Sequence, residues 1–177
     1  MHAAGIIWTI SLVFTITAAL LDLRSRRIPN WLTVPGLVAG LTVHSVLSGW
    51  HGTLFALEGA LLALGLLLPL VLLRGLGAGD WKLLGAVGAI LGPVLVLFVI
   101  FGSILASGAM AIFQMFRTGR VVETFRNMFV LVRGFFTFGL KANRQISLDN
   151  PQLIKLPFGV AVAAATIVCY CAARWAV

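Results

Sequence analysis

Long apolar runs separated by short breaks leave this chain few ways to fold. Gly5–Leu21, Trp31–Ser48, Thr53–Leu73, Val94–Phe116 and Leu156–Ala173 each approach the roughly 20 residues that cross a hydrocarbon layer as a helix. A sixth run, Trp81–Leu91, is short and would reach only about 16 Å at 1.5 Å per residue. Backbone polar groups inside a bilayer must be satisfied internally, so such runs become helices packed on helices. Of the 177 residues, 60% are hydrophobic and only 10% charged, against roughly a quarter charged in a water-soluble domain. The expectation is an all-α polytopic membrane helix bundle with about six transmembrane segments, the fourth short, forming a single membrane-embedded domain over residues 1–177.

The breaks carry the charge. Arg24, Arg26 and Arg27 follow the first run, and Arg74 and Lys82 flank the break after the third. Arg117, Arg120, Arg126, Arg133, Lys141, Arg144 and Lys155 lie between the fifth run and the last. The alternate breaks, Gly49–Gly52 and Gly92-Pro93, contain no Lys or Arg. Cytoplasmic loops of membrane proteins are enriched in these residues, which places loops one, three and five in the cytoplasm and the amino terminus outside. The net charge of +8 is spread over these breaks and forms no separate basic face. It therefore suits anionic lipid and argues against nucleic acid. Residues 117–155 are expected to form a basic cytoplasmic or interfacial region, in which Phe125, Phe129, Phe135, Phe136 and Phe138 suit an interfacial helix or a core equally.

Only five residues are acidic, and two of them stand where a span meets a loop. Asp22 closes the first run and Asp80 opens the short fourth one. An ionisable group at a membrane boundary is costly unless solvated, paired or used. The charge-derived topology puts both at the same face although 58 positions separate them. Two carboxylates that meet can share a proton and activate a water. Helix ends predict Asp80, at an amino terminus, as the ionised partner and Asp22, at a carboxyl terminus, as the proton holder. Each also has a plainer role: Asp80 as a helix cap and Asp22 as a partner for the neighbouring arginines. Gly77 and Gly79 would allow extended backbone beside Asp80, able to pair with a substrate strand. Pro29 ends the first loop and Asn30 can cap the second span.

Other chemistry is poorly supported. His2, His44 and His51 fall on the outer side, and Cys169 and Cys171 point to different sides of one helix, so no metal site is expected. Glu58 is expected to be structural within the third span, with proton handling as its alternative.

Asp22…Arg27-Ile-Pro-Asn30 and Gly77-Ala-Gly-Asp80-Trp-Lys-Leu-Leu84 closely resemble the two active-site motifs of the type IV prepilin peptidases, a GxGD-type aspartic membrane protease family. Leu156-Pro-Phe-Gly159 is similar to the element that opens that family's final core helix. The resemblance implies Asp22 and Asp80 as catalytic residues, with Gly77, Gly79, Lys82, Pro29, Asn30, Pro157 and Gly159 in support. It implies cleavage of the short basic leader from a prepilin at the cytoplasmic face of the bacterial inner membrane, with no metal or organic cofactor. The paired-cysteine methylating domain of larger members is not expected here, nor is its methyltransferase activity. The chain looks like the small, peptidase-only branch serving Flp/Tad-type pili. Two other classes stay open on sequence: a non-catalytic pilus or secretion assembly protein, and a proton- or cation-coupled transporter.

Overall fold

The computed structural model describes residues 2–73, 75–118 and 157–175, all of whose regular structure is helical. The stretch 119–156, which holds most of the basic region and its phenylalanines, lies outside the described residues. Among the described residues four helices follow one another: α1 (His2–Ser25), α2 (Asn30–Leu72), α3 (Ala78–Thr118) and α4 (Phe158–Trp175). Each contains a stretch long and apolar enough to cross a membrane, so this is an all-α membrane protein.

Two of the four are too long to be single crossings. With 43 residues, α2 would extend about 65 Å if straight, twice the hydrocarbon thickness. It is not straight. Gly49 takes φ 58°, ψ −139°, a conformation that a side chain opposes. The Ser45 and Thr53 hydroxyls then meet at 2.6 Å, although eight residues of straight helix would hold them about 12 Å apart. The rings of His44 and Phe55 pack at a tilt of 54° with centroids 5.2 Å apart. The helix doubles back into two limbs, and the turn is tighter than the four-residue break Gly49–Gly52 expected from sequence.

Gly92 does the same for α3, at φ 81°, followed by Pro93, whose missing N–H cannot continue the ladder. Gly102 lies about 33 Å beyond Asp80 along a straight helix. Yet it packs on Ala165 of α4, where a Cβ on Gly102 would approach within 3.0 Å. Ala165 is only about 9 Å along α4 from Gly159, which bonds to Asp22. The second limb of α3 therefore returns toward the end where it began.

The first limb of α3 is the centre of the molecule. Every residue from Leu83 to Gly92 is buried, so this limb is apolar all round and needs no lipid-facing side. That explains why its run looked short. Glycines let α2 close on it from both limbs. A Cβ on Gly40 would come within 2.6 Å of the Ala89 carbonyl carbon, and Gly59 and Gly88 stack backbone on backbone. Close approach through small residues is how helices associate where lipid removes the hydrophobic drive between them. Leu83, Leu84, Val87 and Ile90 fill the core with Val96, Val99, Val162, Phe14 and Ala18.

Candidate functional site

α1 ends just past Asp22. Arg26 adopts φ 50° and returns its N–H to the Asp22 carbonyl at 2.7 Å, a left-handed stop that a non-glycine residue adopts at some cost. The chain then crosses to Pro29, in extended conformation ahead of α2. Asp22 is thus the last ordered turn of α1, and its side chain is buried at 6% exposure. Asp80 is half-buried in the first turn of α3. Its carboxylate accepts the backbone N–H of Gly77 and lies near enough to Asp22 for the two charges to act on each other.

The supporting residues separate into those that touch the pair and those that frame it. The N–H of Gly159, in the first turn of α4, donates to Asp22 Oδ2 at 2.7 Å across 137 residues of sequence. A Cβ on Gly159 would stand 3.0 Å from the Asp22 Cβ and 3.1 Å from Oδ2, and one on Gly77 would stand 2.9 Å from Asp80 Oδ2. Pro157 precedes α4, and its carbonyl accepts from Val160. Gly79 faces Ile28, where a Cβ would meet the Ile28 carbonyl at 3.2 Å, so α3 and the α1–α2 loop touch beside the pair. Lys82 and Asn30 bond to each other, Nζ to Oδ1 at 3.1 Å.

Four expectations change. Gly77 and Gly79 have no positive φ, and Gly79 is already helical; both serve close approach, and Gly79 offers no extended edge to a substrate strand. Asp80 is not the N-cap of α3, which begins two residues earlier, at Ala78; it is the third helical residue and caps from inside, by accepting the N–H of Gly77. Asn30 does not cap α2, which has no side-chain cap; its amide holds Lys82 instead. The dipole reasoning that separated the two carboxylates also loses its basis. Asp22 sits at the carboxyl end of α1 but faces the amino end of α4, so both acids see a helix amino terminus.

His44, expected on the outer side and outside any metal site, has a structural role. It is buried, and its Nε2 lies 2.9 Å from the Ile90 carbonyl. The Gly92-Pro93 break frees carbonyls in the preceding turn, and a histidine inside an apolar run was the signal for a buried donor. Trp81 likewise donates its indole N–H to the Leu64 carbonyl at 2.8 Å. Glu58 is exposed on the second limb of α2. Among the described residues, no three His, Cys, Asp or Glu converge to hold a metal ion. The chemistry available is that of two neighbouring carboxylates, one almost enclosed, held by three helices at one end of the bundle.

In comparison with known families, the model of the type IV leader peptidase family aligns with residues 9–112. That span includes Asp22 and Asp80 and ends before α4. No curated protein and no solved structure matches the chain.

Proposed function

Because the chain belongs to the type IV leader peptidase family, we propose that it is an aspartic endopeptidase that removes the short basic leader from prepilins, using Asp22 and Asp80 as its catalytic pair. The observation that carries this reading is that a carboxylate of α1 and one of α3 stand at one end of the bundle, close enough for their charges to interact. In the proposed mechanism one carboxylate takes a proton from a water, which attacks the scissile carbonyl. The other, protonated, donates to the carbonyl oxygen; the first then passes the water's proton to the leaving amine, and the second recovers its own from the intermediate's hydroxyl as the carbonyl re-forms. Gly159 steadies Asp22 through its N–H, and Gly77 does the same for Asp80. On this reading the limbs of α2 and α3 are separate crossings, six spans with α1 and α4, and the arginines beside Asp22 support a cytoplasmic face for the pair. A prepilin carries its scissile bond just before an apolar helix, where that helix leaves the bilayer, which suits a pair at a membrane boundary. The motif resemblance favours Flp/Tad-type prepilins and the peptidase step alone.

Coexpression with prepilins tests this directly. The wild-type protein is expected to shorten at least one by its leader, and Asp22→Asn and Asp80→Asn are each expected to stop the cleavage while still accumulating in the membrane. Cleavage at the wild-type rate by either variant would remove that residue from the mechanism.

A further inference from the structure

The turn that ends α1 is made by a residue poorly suited to it. Among the described residues, Arg26 is the non-glycine residue with a positive φ, 50°, just past a helix end where glycine is the usual occupant. A side chain in the left-handed region is strained and persists only where its surroundings over-determine it. They do so here. The Arg26 N–H donates to the Asp22 carbonyl at 2.7 Å. The Ser25 hydroxyl lies 2.8 Å from the Leu21 carbonyl and 3.0 Å from that of Arg27. Ile28, next along the chain, is buried against Gly79 of α3. Glycine would make the same turn without strain. What arginine adds is a guanidinium, near enough to Asp22 for the two charges to act on each other. We propose that Arg26 is a positioning residue for the peptidase reaction, whose positive charge holds Asp22 ionised as the base that activates the water and leaves the shared proton on Asp80. The inference rests on the peptidase reading and assigns the proton within its pair.

The groups around the two acids leave Arg26 as the difference between them. Each carboxylate accepts one backbone N–H, Asp22 from Gly159 of α4 and Asp80 from Gly77. Each also raises the cost of a charge on the other. Lys82, two residues past Asp80, is bonded to the Asn30 amide at the start of α2, and Arg24 and Arg27 are exposed. Burial weighs against a charge on Asp22, the more enclosed of the two acids. An ionised Asp22 therefore needs an opposite charge beside it. Arginine supplies one that stays protonated at any working pH. Because Arg26 is itself exposed, its effect is open to screening by salt.

The test uses the full-length protein in membranes and a prepilin that the wild type cleaves, with kcat/KM followed against pH. A base works only when ionised, so cleavage falls away on an acidic limb. Without the guanidinium, Asp22 needs a higher pH to ionise. Arg26→Gly suits the turn and removes the charge. It is expected to accumulate, to melt no lower than wild type in detergent, and to move the acidic limb up by about one pH unit, lowering cleavage on that limb roughly tenfold. Arg26→Lys keeps the charge and should restore most of the shift. Added salt should move the wild-type limb up by more than that of Arg26→Gly. A wild-type profile in Arg26→Gly would overturn the proposal. So would a lower rate or a higher KM with the limb unmoved, the mark of a role in the turn or in leader binding alone. If Arg26→Gly does not accumulate, Arg26→Asn, which also tolerates the left-handed region, takes its place. If neither accumulates, the wild type decides, and a limb indifferent to salt overturns the proposal. Failure of the wild type to cleave any prepilin removes the peptidase reading itself, a result distinct from cleavage that Arg26 does not tune.

Discussion

Gly159 shows how small a change can reach the chemistry. It supplies the N–H that Asp22 accepts at 2.7 Å, and it leaves open the space that a Cβ would occupy 3.0 Å from the Asp22 side chain. The helical backbone here accommodates alanine without strain, since φ is not positive. Gly159→Ala should therefore fold and keep the hydrogen bond while pushing Asp22 aside by a few tenths of an ångström. Because displacements of about 1 Å at a reacting centre can cost around a hundredfold, prepilin cleavage is expected to fall roughly 10- to 100-fold at unchanged protein level. Turnover within twofold of wild type would show that the Asp22 position tolerates this crowding. The sequence revealed Gly159 only as part of a similar motif. Its contact joins residues 137 apart, a pairing that periodicity and local propensity do not encode. Asp22 and Asp80, by contrast, were legible because a charge in an apolar chain is rare and its position relative to the Lys/Arg-rich loops is one-dimensional information.

At the scale of elements, the short first limb of α3 fixes the depth of Asp80, and its far end is held by His44 and by the Gly92 turn. Truncating His44 would leave the Ile90 carbonyl without its buried partner, a loss of about 1–3 kcal/mol. His44→Ala is accordingly expected to lower the thermal midpoint in detergent, and an unchanged midpoint would mean that the hydrogen bond contributes nothing net. Gly92→Ala combines two injuries. An alanine at φ 81° is strained, and its Cβ would collide with the Phe55 ring. The strain costs of order 1–3 kcal/mol, and it does not depend on Phe55. Gly92→Ala with Phe55→Ala should therefore recover only part of the lost stability; full recovery would mean that the backbone carries no strain. The helices themselves were visible in the sequence as apolar runs, and both turns as glycine-marked breaks. What each helix face would meet was not. The Gly59–Gly88 contact and the seat of Gly40 depend on two limbs of α2 closing on a third segment, and small residues announce a close contact without naming its partner.

At the scale of the molecule, the doubling of α2 and α3 converts the four described helices into six limbs, and this sets which ends share a face. If each limb crosses the bilayer, the α1–α2 loop with Arg26 and the α2–α3 loop leading to Asp80 lie on one side, and the turn at Gly49–Gly52 lies on the other. The exposed arginines 24, 26 and 27 then assign the first side to the cytoplasm. Single cysteines test the assignment once the free thiols Cys169 and Cys171 are replaced by serine. In intact cells an impermeant thiol reagent is expected to label His51→Cys, which is exposed beside the Gly49 turn, and to miss Arg26→Cys until the membrane is opened. Labelling of both from outside would mean that the first limb of α2 does not cross, and six crossings would be lost. Labelling of Arg26→Cys alone would invert the protein. In that case Asp22 and Asp80 would still meet, because their proximity follows from the fold, but they would face away from the cytoplasm where a prepilin leader is held before export. The chemistry and the topology are thus separable: the asparagine variants report on the pair, and the cysteine labels report on whether that pair stands on the side where the proposed substrate presents its leader.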